Sequence, residues 1–296
     1  VIDIRLRSRI PEEELEEKVG KLLTEQDINV LLTGPTFVRR PDGKPLCVYL
    51  PGVMQGAASS DVYRILHGLK AETTNNRGLA SGTQRVQRKG QKRTQSMAVP
   101  SAIIGAIDPA GIYRYCRLTA WTGSNLPQWR QLQPFLAEVA RHMQQWVPER
   151  YEAQMERVRR TEPEWVVPGT PFSTVTVNNS YSTGVHQDKG DLDEGFSTIA
   201  CLRRGEYTGG TLCFPEYRVG VNMKDSDLLL MDAHSWHGNT PIVCACGDRL
   251  KKPCEKCGGE RISVVSYYRT KVAECGTAEE ELGRAVKVRE RRAVAG

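Results

Sequence analysis

Glu260-Arg-Ile-Ser-Val-Val-Ser-Tyr-Tyr-Arg269 alternates with a period of two. Arg261, Ser263, Val265, Tyr267 and Arg269 fall on one face of an extended chain, and Ile262, Val264, Ser266 and Tyr268 on the other. β-Branched and aromatic residues dominate the stretch, so it reads as a strand. Working outward, further runs share that character: FSTVTVNN at 172–179, FSTIACLR at 196–203, GGTLCFPEYRVGVNM at 209–223 and DLLLMD at 227–232. Gly and Asp turns separate them at the spacing of a sandwich or barrel, which makes residues 166–272 a β core.

Upstream the periodicity changes. Residues 11–26 open with Pro11 and a run of Glu that complements a helix dipole, then continue with apolar spacing near 3.6, which predicts a helix. Residues 37–50 read as two short strands about Pro41-Asp42-Gly43-Lys44, because proline restrains φ and glycine permits the turn. Residues 73–95 are polar, glycine-bearing and basic, and read as a long loop. Trp129, Leu132, Phe135, Leu136, Val139, Met143 and Trp146 recur on one stripe of a helix over 128–157, interrupted at Pro148. A buried face is enough to explain these aromatics. The expected organisation is one catalytic domain over 1–296, with a helix-rich part at 1–165 packed on the β core and a basic tail at 273–296.

Apolar residues make up 39% of the chain and charged residues 26%, a balance that excludes a disordered protein. No run approaches the roughly 18 apolar residues that cross a bilayer, and residues 1–17 lack the apolar region of a secretory signal. A soluble, intracellular monomer (cytoplasm, nucleoid or nucleus) with no membrane partner is the expectation. The nine cysteines are odd in number and four crowd into Cys244–Cys257, which points to metal in a reducing compartment rather than a secreted disulfide scaffold. The net charge of +6 hints only mildly at a polyanionic partner. Its distribution says more. Arg85, Arg88, Lys89, Lys92 and Arg93 run together without an acid, and Arg284, Lys287, Arg289, Arg291 and Arg292 are opposed only by Glu290. Each run is a solvated segment, unless the core suits a nucleic-acid base, in which case it contacts phosphate.

Val185-His186-Gln187-Asp188 follows a predicted strand, where residues two apart share a face, so one imidazole and one carboxylate converge. The end of the DLLLMD strand offers a second imidazole, His234 or His237. His237 is preferred because Gly238-Asn-Thr-Pro241 turns the chain at once, leaving His234 as a supporting or surface residue. Two His and one carboxylate on one face of a metal leave open positions, the arrangement with which non-haem Fe(II) oxygenases bind a keto acid and O₂. His-x-Asp alone is weak; the pair, the Gly209-Gly210 strand, the distal His and the strand bearing Arg261 in that order are much stronger. Arg261, with Ser263 two residues on, can grip the distal carboxylate of 2-oxoglutarate, since a planar guanidinium matches a carboxylate bidentately.

The string ERISVVSYYRTK at 260–271 resembles the last core strand of the TET/JBP family of DNA base dioxygenases, and HGNTPI at 237–242 resembles the distal-histidine segment before it. His186-Gln-Asp188-Lys-Gly-Asp191 and DGKPLCVYLPGVM at 42–54 are similar to the same family, most clearly over 172–271. The resemblance implies an α+β fold with a double-stranded β-helix (jelly-roll, cupin-like) core and helices packed on one side. It implies His186, Asp188 and His237 as iron ligands and Arg261 with Ser263 as anchors of 2-oxoglutarate, with Asn178, Tyr181 and Arg117 as further cosubstrate contacts. Asp191 would hydrogen-bond a flipped base and Tyr267 would stack on it. Arg269 stands where the animal enzymes carry a base-contacting histidine, a departure that bears on which base is read. The implied reaction couples O₂-dependent decarboxylation of 2-oxoglutarate to hydroxylation of the methyl group of 5-methylcytosine in double-stranded, methylated DNA; thymine is the alternative base. Extruding a base costs on the order of a few kcal/mol, and Arg88, Lys89, Lys92 and Arg93 would track the phosphates.

Between His237 and Arg261 lies Cys244-x-Cys246, then seven residues, then Cys254-x₂-Cys257, longer than the family connection it resembles. Two close thiol pairs suit a structural Zn(II), with two disulfides or free thiols as the other readings. Cys47, Cys116, Cys201 and Cys213 read as small core residues, while Cys275 has no evident place. Two rivals share these residues: a 2-oxoglutarate hydroxylase of a protein or small molecule, and a non-enzymatic DNA-binding module.

Overall fold

From residue 174 onward the chain passes back and forth between two sheets. Thr174–Asn179, Ser197–Arg204, Leu228–Met231 and Glu260–Tyr267 go to the first, where Ser197–Arg204 and Glu260–Tyr267 lie between the other two. Leu212–Phe214, Val219–Val221 and Gly238–Asn239 go to the second, with Leu212–Phe214 in the middle. A bridge between His186 and His237 brings the His-x-Asp segment to the same edge. This back-and-forth course is that of a double-stranded β-helix, and the fold class is α+β. The computed structural model describes residues 1–7, 9–69, 84–88, 91–95 and 99–295, with 84–88, 91–95 and 294–295 as backbone alone.

The N-terminal segment is not the expected helical layer, because the strands of its first fifty residues extend the sheets. Ile2–Arg5 runs parallel to Thr36–Arg39, which pairs antiparallel with Pro45–Leu50, and Pro45–Leu50 pairs antiparallel with Leu228–Met231. Val30–Leu32 lies parallel to Val219–Val221 in the other sheet. The helix expected over 11–26 is confined to Glu12–Glu16, since the chain turns at Val19 to bridge Val185. Pairing at a sheet edge outweighs helical propensity there. Pro45–Leu50 and Leu228–Met231 are apolar without alternation because both their faces are buried.

Residues 84–88 and 91–95, within the stretch read as a loop, form an antiparallel hairpin with Val86 opposite Arg93 and Gln87 opposite Lys92. The sequence hides it because its residues other than Val86 are polar, so no hydrophobic alternation marks it. Arg88, Lys92 and Arg93 lie on these strands, and Lys89 lies outside the described residues.

The chain's contacts divide it into two compact units. One comprises Val1–Ala102, Val177–Lys189 and Ile199–Val264; the other comprises Ile103–Thr176, Gly190–Thr198 and Val265–Gly296. The second unit holds the long helix Leu126–Trp146 and the helix Pro148–Val158. Val147 departs from helical geometry (φ −138°) and Pro148 opens the next helix, where its missing N–H costs nothing. Trp129, Leu132, Phe135, Leu136, Val139 and Met143 are buried, as the stripe predicts. Phe135→Ala is therefore expected to lower stability by about 3–5 kcal/mol, read as a lower urea midpoint at unchanged slope.

The expected C-terminal tail is the helix Ala278–Ala295. Its buried Glu281 accepts hydrogen bonds from the backbone of Cys116 (2.7 Å) and Gly276 (2.9 Å) and pairs with Arg284 (2.5 Å). Cys116 and Cys275, 159 residues apart, are joined as a disulfide in a cluster with Ala106, Trp165 and Val272. Cys116 is thus more than a small core residue, and Cys275 has its place. A pairing across that separation leaves no trace in local spacing. Among the described residues no helix is long and apolar enough to cross a membrane.

Candidate active site

His186, Asp188 and His237, all in the first unit, each offer one ligand atom, and these atoms lie within 4.8 Å of one another. Asp188 stands between the imidazoles, with Oδ1 3.6 Å from His186 Nε2 and Oδ2 3.7 Å from His237 Nε2. Three backbone hydrogen bonds fix this arrangement. His186 and His237 exchange N–H···O bonds (2.9 and 3.0 Å), and the Asp188 amide donates to Ala233 O (3.0 Å). Each imidazole keeps Nδ1 against a carbonyl, His186 on Gly184 (2.8 Å) and His237 on Ser235 (2.9 Å). Nδ1 can only donate to a carbonyl, so the Nε2 lone pairs face Asp188 and are available to a metal. Burial, with His186 alongside, pushes His237 down to about 4, which keeps its ring neutral at physiological pH.

His234 takes another part. Its carbonyl accepts from Gln187 Nε2 (2.8 Å) and its amide donates to Asp232 (3.0 Å), so it supports the triad through its backbone while its ring stays outside the ligand group. Asp232 is itself held by Arg40. Below lies a small apolar cluster of Leu23, Val185 and Cys213, with Ile28 and Trp236 against it.

Arg261 is buried to 4% exposure, and its Nη1 donates to Gly210 O. A Cβ at Gly210 would collide with that nitrogen, which gives this glycine its physical reason. The Nε of Arg261 is buried and has no acceptor among the described residues. A buried charged donor without a partner costs several kcal/mol, so a site with this residue fits an incoming carboxylate. Ser263 and Val265, on the same face, are half-buried, whereas Ile262, Val264 and Ser266 opposite are buried; the arginine face opens at these two positions. Asn178 accepts from Ser101 (2.6 Å), and Tyr181 lies half-buried in the segment leading to His186.

Glu260 and Ser180 are positioning residues that the sequence does not reveal. Glu260, buried beside Arg261, accepts from Tyr63 and from Asn179 (2.5 Å) and pairs with His67 Nδ1 (2.8 Å). Ser180, at φ 54°, receives the Arg261 amide on its hydroxyl (3.2 Å) and donates its own amide to Arg261 O (2.6 Å). The signal available was the acid next to the arginine, but a single Glu at a strand start usually faces solvent.

The second unit holds the candidate base contacts. Asp191 and Arg269 are joined by a backbone bridge. Asp191 is buried and accepts from Ser197 Oγ (2.6 Å). Arg269 binds Asp108 through Nε (2.6 Å) and Nη2 (3.2 Å). Burial opposes the Arg269 charge, but Tyr267, Asp108 and Asp191 outweigh it and its pKa is raised. The Tyr267 hydroxyl meets Thr176 Oγ1 (2.9 Å). Arg117 lies over the Tyr113 ring at 4.2 Å with its Nη1 buried and without an acceptor among the described residues.

The Sγ atoms of Cys244, Cys246, Cys254 and Cys257 also lie within 4.8 Å of one another, in the first unit.

Comparison with known proteins places this geometry in context. The sequence profile of the Tet_JBP family, described as the oxygenase domain of the 2OGFeDO superfamily, matches residues 110–270. Thymine dioxygenase JBP1 of Trypanosoma brucei brucei (strain 927/4 GUTat10.1) is 30% identical over 267 residues, which cover 89% of this chain and 29% of that protein. Thymine dioxygenase JBP1 of Leishmania braziliensis is 34% identical over 180 residues, 59% of this chain and 20% of that protein. The chain thus spans less than a third of these relatives' length. A solved structure, NgTET1 in complex with 5mC DNA, has the same fold, with a TM-score of 0.55 at 12% identity, covering 94% of this chain and 100% of that one.

Proposed function

Because the chain belongs to the Tet_JBP family, the oxygenase domain of the 2OGFeDO superfamily, we propose that it uses Fe(II) and 2-oxoglutarate to hydroxylate the 5-methyl group of a pyrimidine in DNA. The observation that supports this most is the convergence of His186, Asp188 and His237 at one edge, together with an Arg261 Nε that is buried without an acceptor among the described residues and so suits a keto acid. Bound there, Fe(II) would supply the O₂-dependent oxidation in which 2-oxoglutarate becomes succinate. The residues supply the rest. The two carbonyl-oriented imidazoles and Asp188 would hold the metal from one side. Arg261 orients the cosubstrate through its distal carboxylate, with Ser263 on the same face.

A base inside a duplex cannot bring its methyl group to a metal, so the nucleotide must be extruded. Asp191 and Arg269, adjacent across a backbone bridge, offer an acceptor and a donor, which suits the edge of a pyrimidine. Thymine presents an N3–H donor beside its O4 acceptor, and relatives at 30% and 34% identity are named thymine dioxygenases. 5-Methylcytosine presents the same two functions in the order N4–H₂ and N3, and is the second reading. Arg88, Lys92 and Arg93, on paired strands, place positive charge along a hairpin, and phosphate contacts there would make DNA binding fall steeply with salt.

The test is incubation with Fe(II), 2-oxoglutarate and duplex DNA, unmodified or carrying 5-methylcytosine, followed by nucleoside mass spectrometry. 5-Hydroxymethyluracil is the expected product with unmodified DNA; 5-hydroxymethylcytosine alone would move the assignment to 5-methylcytosine. Asp191→Ala should reduce base oxidation about 10- to 100-fold, the worth of a charged hydrogen bond, while substrate-independent succinate formation persists. Succinate formation with no modified nucleoside in either DNA would point to a protein or small-molecule substrate and end the DNA reading.

A further inference from the structure

The insertion 244–257 folds as two short turns that bring their thiols together. Cys244 ends the strand Ile242–Cys244 opposite Tyr207, and its carbonyl accepts from Gly247 N at 2.9 Å. The Cys254 carbonyl accepts from Gly258 N, and the Cys254 amide donates to Gly259 O, both at 2.9 Å. Gly247 (φ 83°) and Gly258 (φ 65°) close the turns in a left-handed conformation that side chains disfavour. Each turn therefore has the same form: a cysteine, a chain reversal closed by glycine, and a second cysteine before that glycine. A metal site needs two such chelating pairs facing each other, and here all four sulfurs are mutual neighbours.

The surroundings match a tetrathiolate in charge and polarity. On the inner side Tyr207, Ile242, Cys244 and Leu250 form a buried apolar cluster on which Cys254 and Cys257 pack. On the outer side, Arg249, Lys251, Lys252 and Lys256 exceed Asp248 and Glu255 by two positive charges. Four thiolates around a divalent cation leave two negative charges, so these cations balance the cluster.

We propose that Cys244, Cys246, Cys254 and Cys257 bind one Zn²⁺ tetrahedrally and that this metal holds the start of the arginine strand. Gly258 and Gly259 lead directly into Glu260 and Arg261, so a metal clip on Cys254 and Cys257 limits the excursions of the residue before Glu260. Glu260, next in the chain, is held by Tyr63, His67 and Asn179, so a fixed Gly258-Gly259 and these bonds act together on the start of the strand. Four protein ligands leave no open position, so the zinc is structural. This positioning half of the inference rests on the reading of Arg261 as the cosubstrate anchor; the metal half does not.

The full chain, produced with zinc and kept reduced, is to be measured by elemental analysis and by X-ray absorption at the zinc edge. One zinc per chain with a four-sulfur shell at about 2.3 Å is expected. Zinc below a fifth of stoichiometry, or a shell containing nitrogen or oxygen, would overturn the site, as would mass spectrometry showing the four thiols as two disulfides. Cys254→Ser is expected to lose most of the zinc, and Cys257→His, which retains a ligand, to keep it. In the positioning test, Cys254→Ser should raise the KM for 2-oxoglutarate several-fold with kcat held, and the zinc-bearing Cys257→His should keep the parent's KM. An unchanged KM in a zinc-free Cys254→Ser protein would overturn the positioning role. Zinc content is read without turnover, so it stands or falls separately from the DNA oxidation assay.

Discussion

Asp188→Ala is expected to abolish turnover, with succinate formation and base oxidation both reduced on the order of a thousandfold or more. Losing a residue that merely orients a metal ligand typically costs 10- to 100-fold in metal affinity or activity. Asp188 contributes the only anionic donor of the three, between two imidazoles turned by carbonyl contacts at Nδ1 so that Nε2 faces it, and burial keeps the ring of His237 neutral. Its removal takes away both a ligand and the charge that attracts Fe(II), so the loss must exceed that of an orienting residue. The Asp188 side chain is 37% exposed, and its positioning bond comes from the backbone amide, which alanine keeps. The variant should therefore melt as the parent does. Anaerobic calorimetry with Fe(II) should show weakened binding, and wild-type turnover in the iron-loaded variant would remove Asp188 from the metal site.

That triad was legible in the sequence because each of its parts obeys a local rule. His186 and Asp188 are two apart on an extended segment, and a strand end followed by Gly-Asn-Thr-Pro delivers His237. The strands of the β core were legible from β-rich runs set off by Gly and Asp turns, with a period of two only in 260–269, and so was the stripe of the long helix. What stayed hidden depends on distant partners. The paired strands 84–88 and 91–95 carry only one apolar residue, Val86, so no hydrophobic pattern announces them. Glu281 and the Cys116–Cys275 pair anchor a helix whose charge pattern reads as a solvated tail, because the ties come from residues about 160 positions away. The strands Ile2–Arg5 and Val30–Leu32 are too short to show a period, and pairing alone makes them strands. Glu260 and Ser180 belong to the same class: their worth lies in groups brought to them by the fold.

Arg261→Lys is expected to raise the KM for 2-oxoglutarate by about two orders of magnitude, with kcat at saturating cosubstrate changed by no more than a few-fold. Truncating one partner of a buried, hydrogen-bonded charge pair typically costs about 2–5 kcal/mol, which spans roughly 30- to several thousand-fold in affinity. Lysine keeps the charge but not the planar fork, and one donor of Arg261 is already committed to Gly210 O. The Nε, buried with no acceptor among the described residues, is the donor whose loss the cosubstrate should feel. Ser263→Ala removes at most one neutral hydrogen bond from the same face, so its effect should stay near 2- to 10-fold. Arg261→Met, which fills the volume of the stem, separates lost packing from lost charge. If Arg261→Met binds 2-oxoglutarate as the parent does while still binding Fe(II), the arginine is a structural donor to Gly210 and the keto acid is anchored elsewhere.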